Sequence, residues 1–114
     1  MLGGEEHTPD NWVIIKMTPE GHDTFYKVLA GWHGGYLDGD SWRMNSGIDK
    51  VEQNKNYYLF IGASGSVYKC HKQGERLSGM TGSVWDQLQE KFGDQVELVG
   101  AEDIWTTPPR EDDD

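Results

Sequence analysis

The Asp-Gly pair at residues 38–39 constrains this chain more than any other feature, because a two-residue type I′ turn needs positive φ at both central positions and Asp-Gly supplies that cheaply. A hairpin centred there organises the stretch AGWHGGYLDGDSWRMNSGI, residues 30–48. In that register Leu37 faces Asp40, Tyr36 faces Ser41, Gly34 faces Arg43, His33 faces Met44 and Trp32 faces Asn45. Side chains alternate with period two, so two surfaces result. Leu29, His33, Trp42, Met44 and Ile48 make a core face; Trp32, Tyr36, Arg43 and Asn45 make a displayed aromatic and polar face. A bulge at Gly34-Gly35 or at Gly47 exchanges parts of these lists.

The rest of the chain supplies partners for that hairpin. NWVIIKMT, residues 11–18, is apolar and β-branched and runs into Pro19-Glu20-Gly21, so it reads as a strand that ends in a turn. Residues 24–34 and 41–52 are the arms of the first hairpin. YYLFIG (57–62) and SVYKCHK (66–72) form a second hairpin around Ser64-Gly65, in which Ile61 faces Tyr68, Phe60 faces Lys69, Leu59 faces Cys70 and Tyr58 faces His71. That order is an antiparallel meander. NSGI at Asn45 and ASGSV at Ala63 look like paired bends in a strongly curled sheet.

Residues 73–82 are rich in Gly, Ser and charge and read as a loop. A helix over 83–92 follows, opened by Ser83 with Asp86, with Val84, Trp85, Leu88 and Phe92 on one face and Gly93 closing it. Residues 96–99 can add a short edge strand. The expected fold is α+β and β-dominated: a strongly curved antiparallel sheet, a small barrel or half-barrel of five to six strands, with one C-terminal helix. Residues 1–10 read as a flexible N-terminus, 11–99 as one compact domain, and 100–114 as an acidic, disordered tail.

Charge refines this division. The net charge of −10 comes from the ends: residues 11–93 hold nine acids and nine bases, so the expected body is neutral. Direct nucleic-acid binding is therefore not expected, and an acidic mimic of nucleic acid, a third reading, would need an ordered array of carboxylates on the body itself. The longest apolar runs fall well short of the about 20 residues of a membrane span, and MLGGEEHTPD lacks the pattern of a secretory signal, so a cytoplasmic location is expected. Cys70 is the single cysteine, which excludes an intrachain disulfide.

Few residues suggest chemistry. Cys70 and His71 are a nucleophile and base by type, but neighbours in a strand point to opposite faces. Cys70 beside Leu59 instead reads as a small buried hydrophobe. An enzyme reading survives only if His33 or His22 reaches Cys70 from another strand, as in a cysteine-dependent hydrolase. His7, His22, His33, His71 and Cys70 show no paired ligand spacing, so neither a metal nor another cofactor is expected. GWHGG does not precede a helix and lacks a lysine-serine ending, which excludes a phosphate-binding loop.

What remains is the second face, where Trp32, Tyr36, Arg43 and Asn45 are joined by Tyr58, Phe60, Lys69 and His71. Aromatic planes beside Arg and Lys suit stacking and anion binding, although a helix laid over that face would make it core. The expected function is a non-enzymatic binding module gripping a small anionic ligand or a partner protein through Trp32, Tyr36, Trp42, Arg43, Asn45, Lys69 and His71. Exposed aromatics and an open sheet edge could also pair two copies of the chain.

At AGWHGGYLDGDSWRMNSGI and GASGSVYKCHK the chain resembles small proteins of tailed, T4-like bacteriophages, over residues 11–88. The resemblance brings no activity or catalytic residues with it. It implies a viral accessory protein that works in the host cytoplasm by binding and blocking a host molecule.

Overall fold

The computed structural model describes residues 6–35 and 39–104. Its strands are β1 (Glu6–His7), β2 (Asn11–Met17), β3 (Phe25–Gly35), β4 (Gly39–Met44), β5 (Ile48–Gln53), β6 (Tyr57–Gly62), β7 (Val67–His71) and β8 (Val96–Val99), and a helix, α1 (Gly79–Phe92), lies between β7 and β8. The strands form two four-stranded sheets, a first with the order β4-β3-β2-β8 and a second with the order β1-β7-β6-β5. Pairing is antiparallel except between β1 and β7. The β-dominated α+β class matches the expectation. The strand count and the barrel do not: the described strands number eight, in two sheets with no closed barrel.

The cause lies at residues 45–47, inside what reads in sequence as one long hairpin arm. Where β4 stops, Asn45 completes the ladder of β3 by itself. Its backbone N–H donates to the Val28 carbonyl at 3.3 Å, and its side-chain Oδ1 accepts from the Val28 N–H at 2.9 Å. The chain then passes into the other sheet as β5. The second Ser-Gly bend packs on this corner, for the Ala63 N–H donates to the Gly47 carbonyl at 3.1 Å and the Ser46 and Ser64 hydroxyls lie 3.5 Å apart. The paired bends are real, and they divide the sheet.

The first sheet is the middle layer of three. Trp12, Ile14, Val28 and Ala30 on one of its faces pack against Val51, Tyr58, Phe60, Tyr68 and Cys70 of the second sheet, with Ala101 and Ile104 closing that core. Val13, Ile15, Leu29 and Val96 on its other face pack against Val84 and Trp85 of α1, flanked by Met44, Leu88 and Phe92. A strand buried on both faces has no polar side to show, which is why the centre of β2, Trp12 to Ile15, is a continuous apolar run. Trp12 ties the sheets together: its indole Nε1–H donates to the His71 carbonyl at 2.8 Å, and its ring meets Tyr58 and Phe60 at centroid distances of 5.8 and 5.4 Å.

The helix begins one turn earlier than the sequence suggests. Ser78, not Ser83, is the N-cap: its hydroxyl accepts from the Thr81 N–H at 3.2 Å, while its own N–H donates to the Thr81 hydroxyl at 2.7 Å. Thr81 completes the reciprocal box that Glu or Gln more often supplies. Gly93 ends the helix as expected, donating its N–H to the Gln89 carbonyl, and β8 is the expected edge strand.

Candidate binding surface

The two hairpins depart from their expected registers by different amounts, with different consequences. In the first, Trp32 lies opposite Ser41, Ala30 opposite Arg43 and Leu29 opposite Met44, with Gly35 opposite Gly39. This is a shift of four residues for Trp32, from Asn45 to Ser41, and an even shift preserves the faces. Leu29, Trp42 and Met44 still share one face, Trp32 and Arg43 the other. The assignment of one face to core and one to display fails, because both faces of this middle layer are covered.

Trp32 is accordingly half-buried at the rim of the inter-sheet core, with its Nε1–H donating to the Thr8 carbonyl at 3.1 Å and its ring edge-on to His7 at 6.2 Å. Asn45 is buried and serves the corner already described. His33, expected in the core, is exposed near the end of β3, where the ladder is irregular. Arg43 is exposed, and Trp42 is 44% exposed on the opposite side of the same edge strand, so these two do not converge. Tyr36 lies outside the described residues.

In the second hairpin the shift is a single residue. The loop is Ala63-Ser64-Gly65, three residues long, closed by the Gly62 N–H donating to the Ser66 carbonyl at 2.8 Å and the Gly65 N–H to the Gly62 carbonyl at 2.9 Å. Gly65 has φ +96°, the left-handed residue that such a loop places after its turn. Phe60 therefore lies opposite Tyr68, Tyr58 opposite Cys70, Leu59 opposite Lys69 and Tyr57 opposite His71. A one-residue slip turns one strand over against the other. Cys70 keeps the core side and Lys69 and His71 the outer side, whereas on β6 the faces exchange: Tyr58 and Phe60 go into the core beside Tyr68 and Cys70, and Tyr57, Leu59 and Ile61 come out beside Val67, Lys69 and His71.

Lys69 and His71 are thus the two expected site residues that stay together. They are joined by Tyr57, the register partner of His71, in place of the expected Tyr58 and Phe60. The Lys69 ammonium lies 4.6 Å from the Tyr57 ring centroid, and the His71 ring meets the same ring edge-on at 5.1 Å. His71 Nδ1 accepts from the Gln73 N–H at 3.1 Å, which places the proton of the neutral ring on Nε2 as a donor. A phenol hydroxyl, an ammonium and an imidazole N–H therefore cluster at one end of the outer face of the second sheet. Leu59, Ile61 and Val67, all half-buried, continue the face as an apolar strip. On β5, Lys50 pairs with Glu52 at 3.0 Å beside this strip. No described element packs on this face, whereas the inner face of the second sheet and both faces of the first belong to the two cores.

Cys70 is fully buried, and burial foremost, with the charge of Glu75 second, pushes its thiol well above the ordinary value. Its environment disfavours the thiolate a nucleophile needs. His22 and His33 are both exposed, and His71 faces away from it. Among the described residues no group of three or more His, Cys, Asp or Glu could hold a metal ion, and no helix is long and apolar enough to cross a membrane.

The described residues form a three-layer helix–sheet–sheet domain in which no described element packs on the outer face of the second sheet. No family model, curated protein or solved structure matches the chain.

Proposed function

We propose that the protein is a non-enzymatic binding module whose contact surface is the outer face of the second sheet, and that it takes an acidic protein segment. The observation that carries this reading is the clustering of Tyr57, Lys69 and His71 beside the half-buried strip of Leu59, Ile61 and Val67. A carboxylate set against the cluster would accept from up to three donors, while an apolar residue two positions along an extended segment would cover the strip. The Lys69 ammonium makes a negative residue the better complement at this end of the face, while Glu6, opposite Val67, stands at the other end beside the apolar strip. The bacteriophage resemblance fits the same role, with a host protein as the partner and the host cytoplasm as the place.

The test uses a displayed random-peptide library panned on the parent protein and on Tyr57→Ala and Lys69→Ala. Enriched peptides should carry acidic residues next to apolar ones and lose about tenfold or more in affinity for either variant, equivalent to about 1.4 kcal/mol. Enrichment of basic peptides, no enrichment, or equal binding to variants that keep the parent's thermal midpoint would overturn the proposal.

A further inference from the structure

A second recess lies between the other two layers, on the far side of the molecule's middle sheet from the face just described. At the last register of β2, Met17 pairs with Phe25 of β3 on one side and with Val96 of β8 on the other, so these three side chains form a cross-strand row. The helix stops at Gly93 beside this row, and Phe92 closes over it. Pro19 and Gln95 complete an open cleft of about 250 Å³. Its lining is apolar apart from Gln95. For scale, a dry cavity of about 150 Å³ already accepts benzene.

Two cations, neither of them lining the cleft itself, lie near the rings of two of its wall residues. The Lys27 ammonium lies 6.0 Å from the Phe25 ring centroid, and the Lys91 ammonium 5.4 Å from that of Phe92. They come from different elements, one from the floor and one from the roof. We propose that this cleft binds a small apolar carboxylic acid of about one ring and a short chain, its body between Phe25 and Phe92 and its carboxylate toward Lys27 and Lys91. An aliphatic or aromatic body fills the space that no side chain fills, and the negative head separates such a ligand from a neutral or cationic analogue of the same shape. Glu20 and Asp94 are exposed and adjoin the lining residues in sequence, so the sign of the ligand's charge is the sharpest discriminator.

The probe is 3-phenylpropanoate, titrated into isotope-labelled protein while backbone amide shifts are followed, with 3-phenylpropan-1-ol and 3-phenylpropylamine as controls. Saturable shifts should centre on Met17, Phe25, Phe92 and Val96. The acid should bind about fivefold more tightly than the alcohol, with the amine weakest, and the double variant Lys27→Ala/Lys91→Ala should bind acid and alcohol alike. Lys91 is exposed and Lys27 half-exposed, so the double variant should keep the parent's spectrum elsewhere. The proposal fails if the acid gives no saturable shift at those amides up to about 10 mM. It fails equally if alcohol or amine matches the acid, or if the double variant keeps the preference.

Discussion

Replacing Gly31 by alanine adds one methyl group, and the structure fixes where that group goes. A Cβ at Gly31 would stand 2.7 Å from Asn11 Oδ1, 2.8 Å from Thr81 Cγ2 and 3.4 Å from the Ser78 hydroxyl. Ordinary contact begins near 3.4 Å, so α1 and Asn11 must both give way, by about 0.6 and 0.7 Å. Neither has room: Thr81 is 0% and Asn11 1% exposed, and β3 is held between β2 and β4. Overpacking of this kind costs about 1–3 kcal/mol. Gly82→Ala is the same chemical change with the opposite expected sign. A Cβ there meets nothing within 4 Å, and the site is inside α1, so alanine's helix preference should add about 0.5–1 kcal/mol. Urea unfolding of both variants beside the parent reads the two free energies directly. Equal stability of Gly31→Ala and parent, or the same sign for both variants, would refute the claim that α1 seats its first turn on a bare β3 backbone.

Other outcomes follow from the cores. Native Cys70 should react with a thiol reagent only as fast as the chain opens, and a fast reaction near neutral pH would contradict its burial. Because burial raises the folded pKa of Cys70, its contribution is fully present below the ordinary value of 9.0 and is lost as pH rises beyond it, since the unfolded thiol ionises first. Tyr58, raised above 10.0 by burial and then by Glu75 and Glu102, adds a second loss at higher pH. Stability of the parent should therefore fall above about pH 9, and Cys70→Ala should remove the first part of that slope. Trp12→Phe should cost about 2 kcal/mol or more, measured by urea unfolding, because it strips the His71 carbonyl of its indole donor and leaves a void between the sheets. Ser78→Ala should cost about 1 kcal/mol through loss of the cap, whereas Ser83→Ala should stay within about 0.5 kcal/mol.

Much of the fold was written locally. The bends at residues 45–47 and 63–65, the helix face of Val84, Trp85, Leu88 and Phe92, the stop at Gly93 and the edge strand β8 are all set by neighbouring residues, and each is where local chemistry puts it. The layer count was not local. It depends on β2 being buried on both sides, a fact encoded only in the unbroken run of Asn11 to Ile15 and easily taken for a short one-sided strand. The helix start was hidden because Gly79 and Gly82 disguise the Ser78–Thr81 box.

The candidate surface turned on one residue of loop length. Ser64-Gly65 read as a two-residue turn places Tyr58 and Phe60 beside Lys69 and His71; Ala63-Ser64-Gly65 read as a three-residue loop with left-handed Gly65 places Tyr57 there instead. The glycine that closes such a loop was present as a signal in the sequence. For Trp32 and Asn45 no such signal exists, since their burial comes from a second sheet that the Asn45 corner itself creates.

Amide-shift mapping of a library-selected acidic peptide on labelled protein tests whether the outer face of the second sheet is the proposed contact surface. Shifts confined to Tyr57, Leu59, Ile61, Val67, Lys69 and His71 are the predicted result. Shifts centred on Trp42 and Arg43 of β4, or on the Phe25–Phe92 cleft, with the second sheet silent, would contradict it.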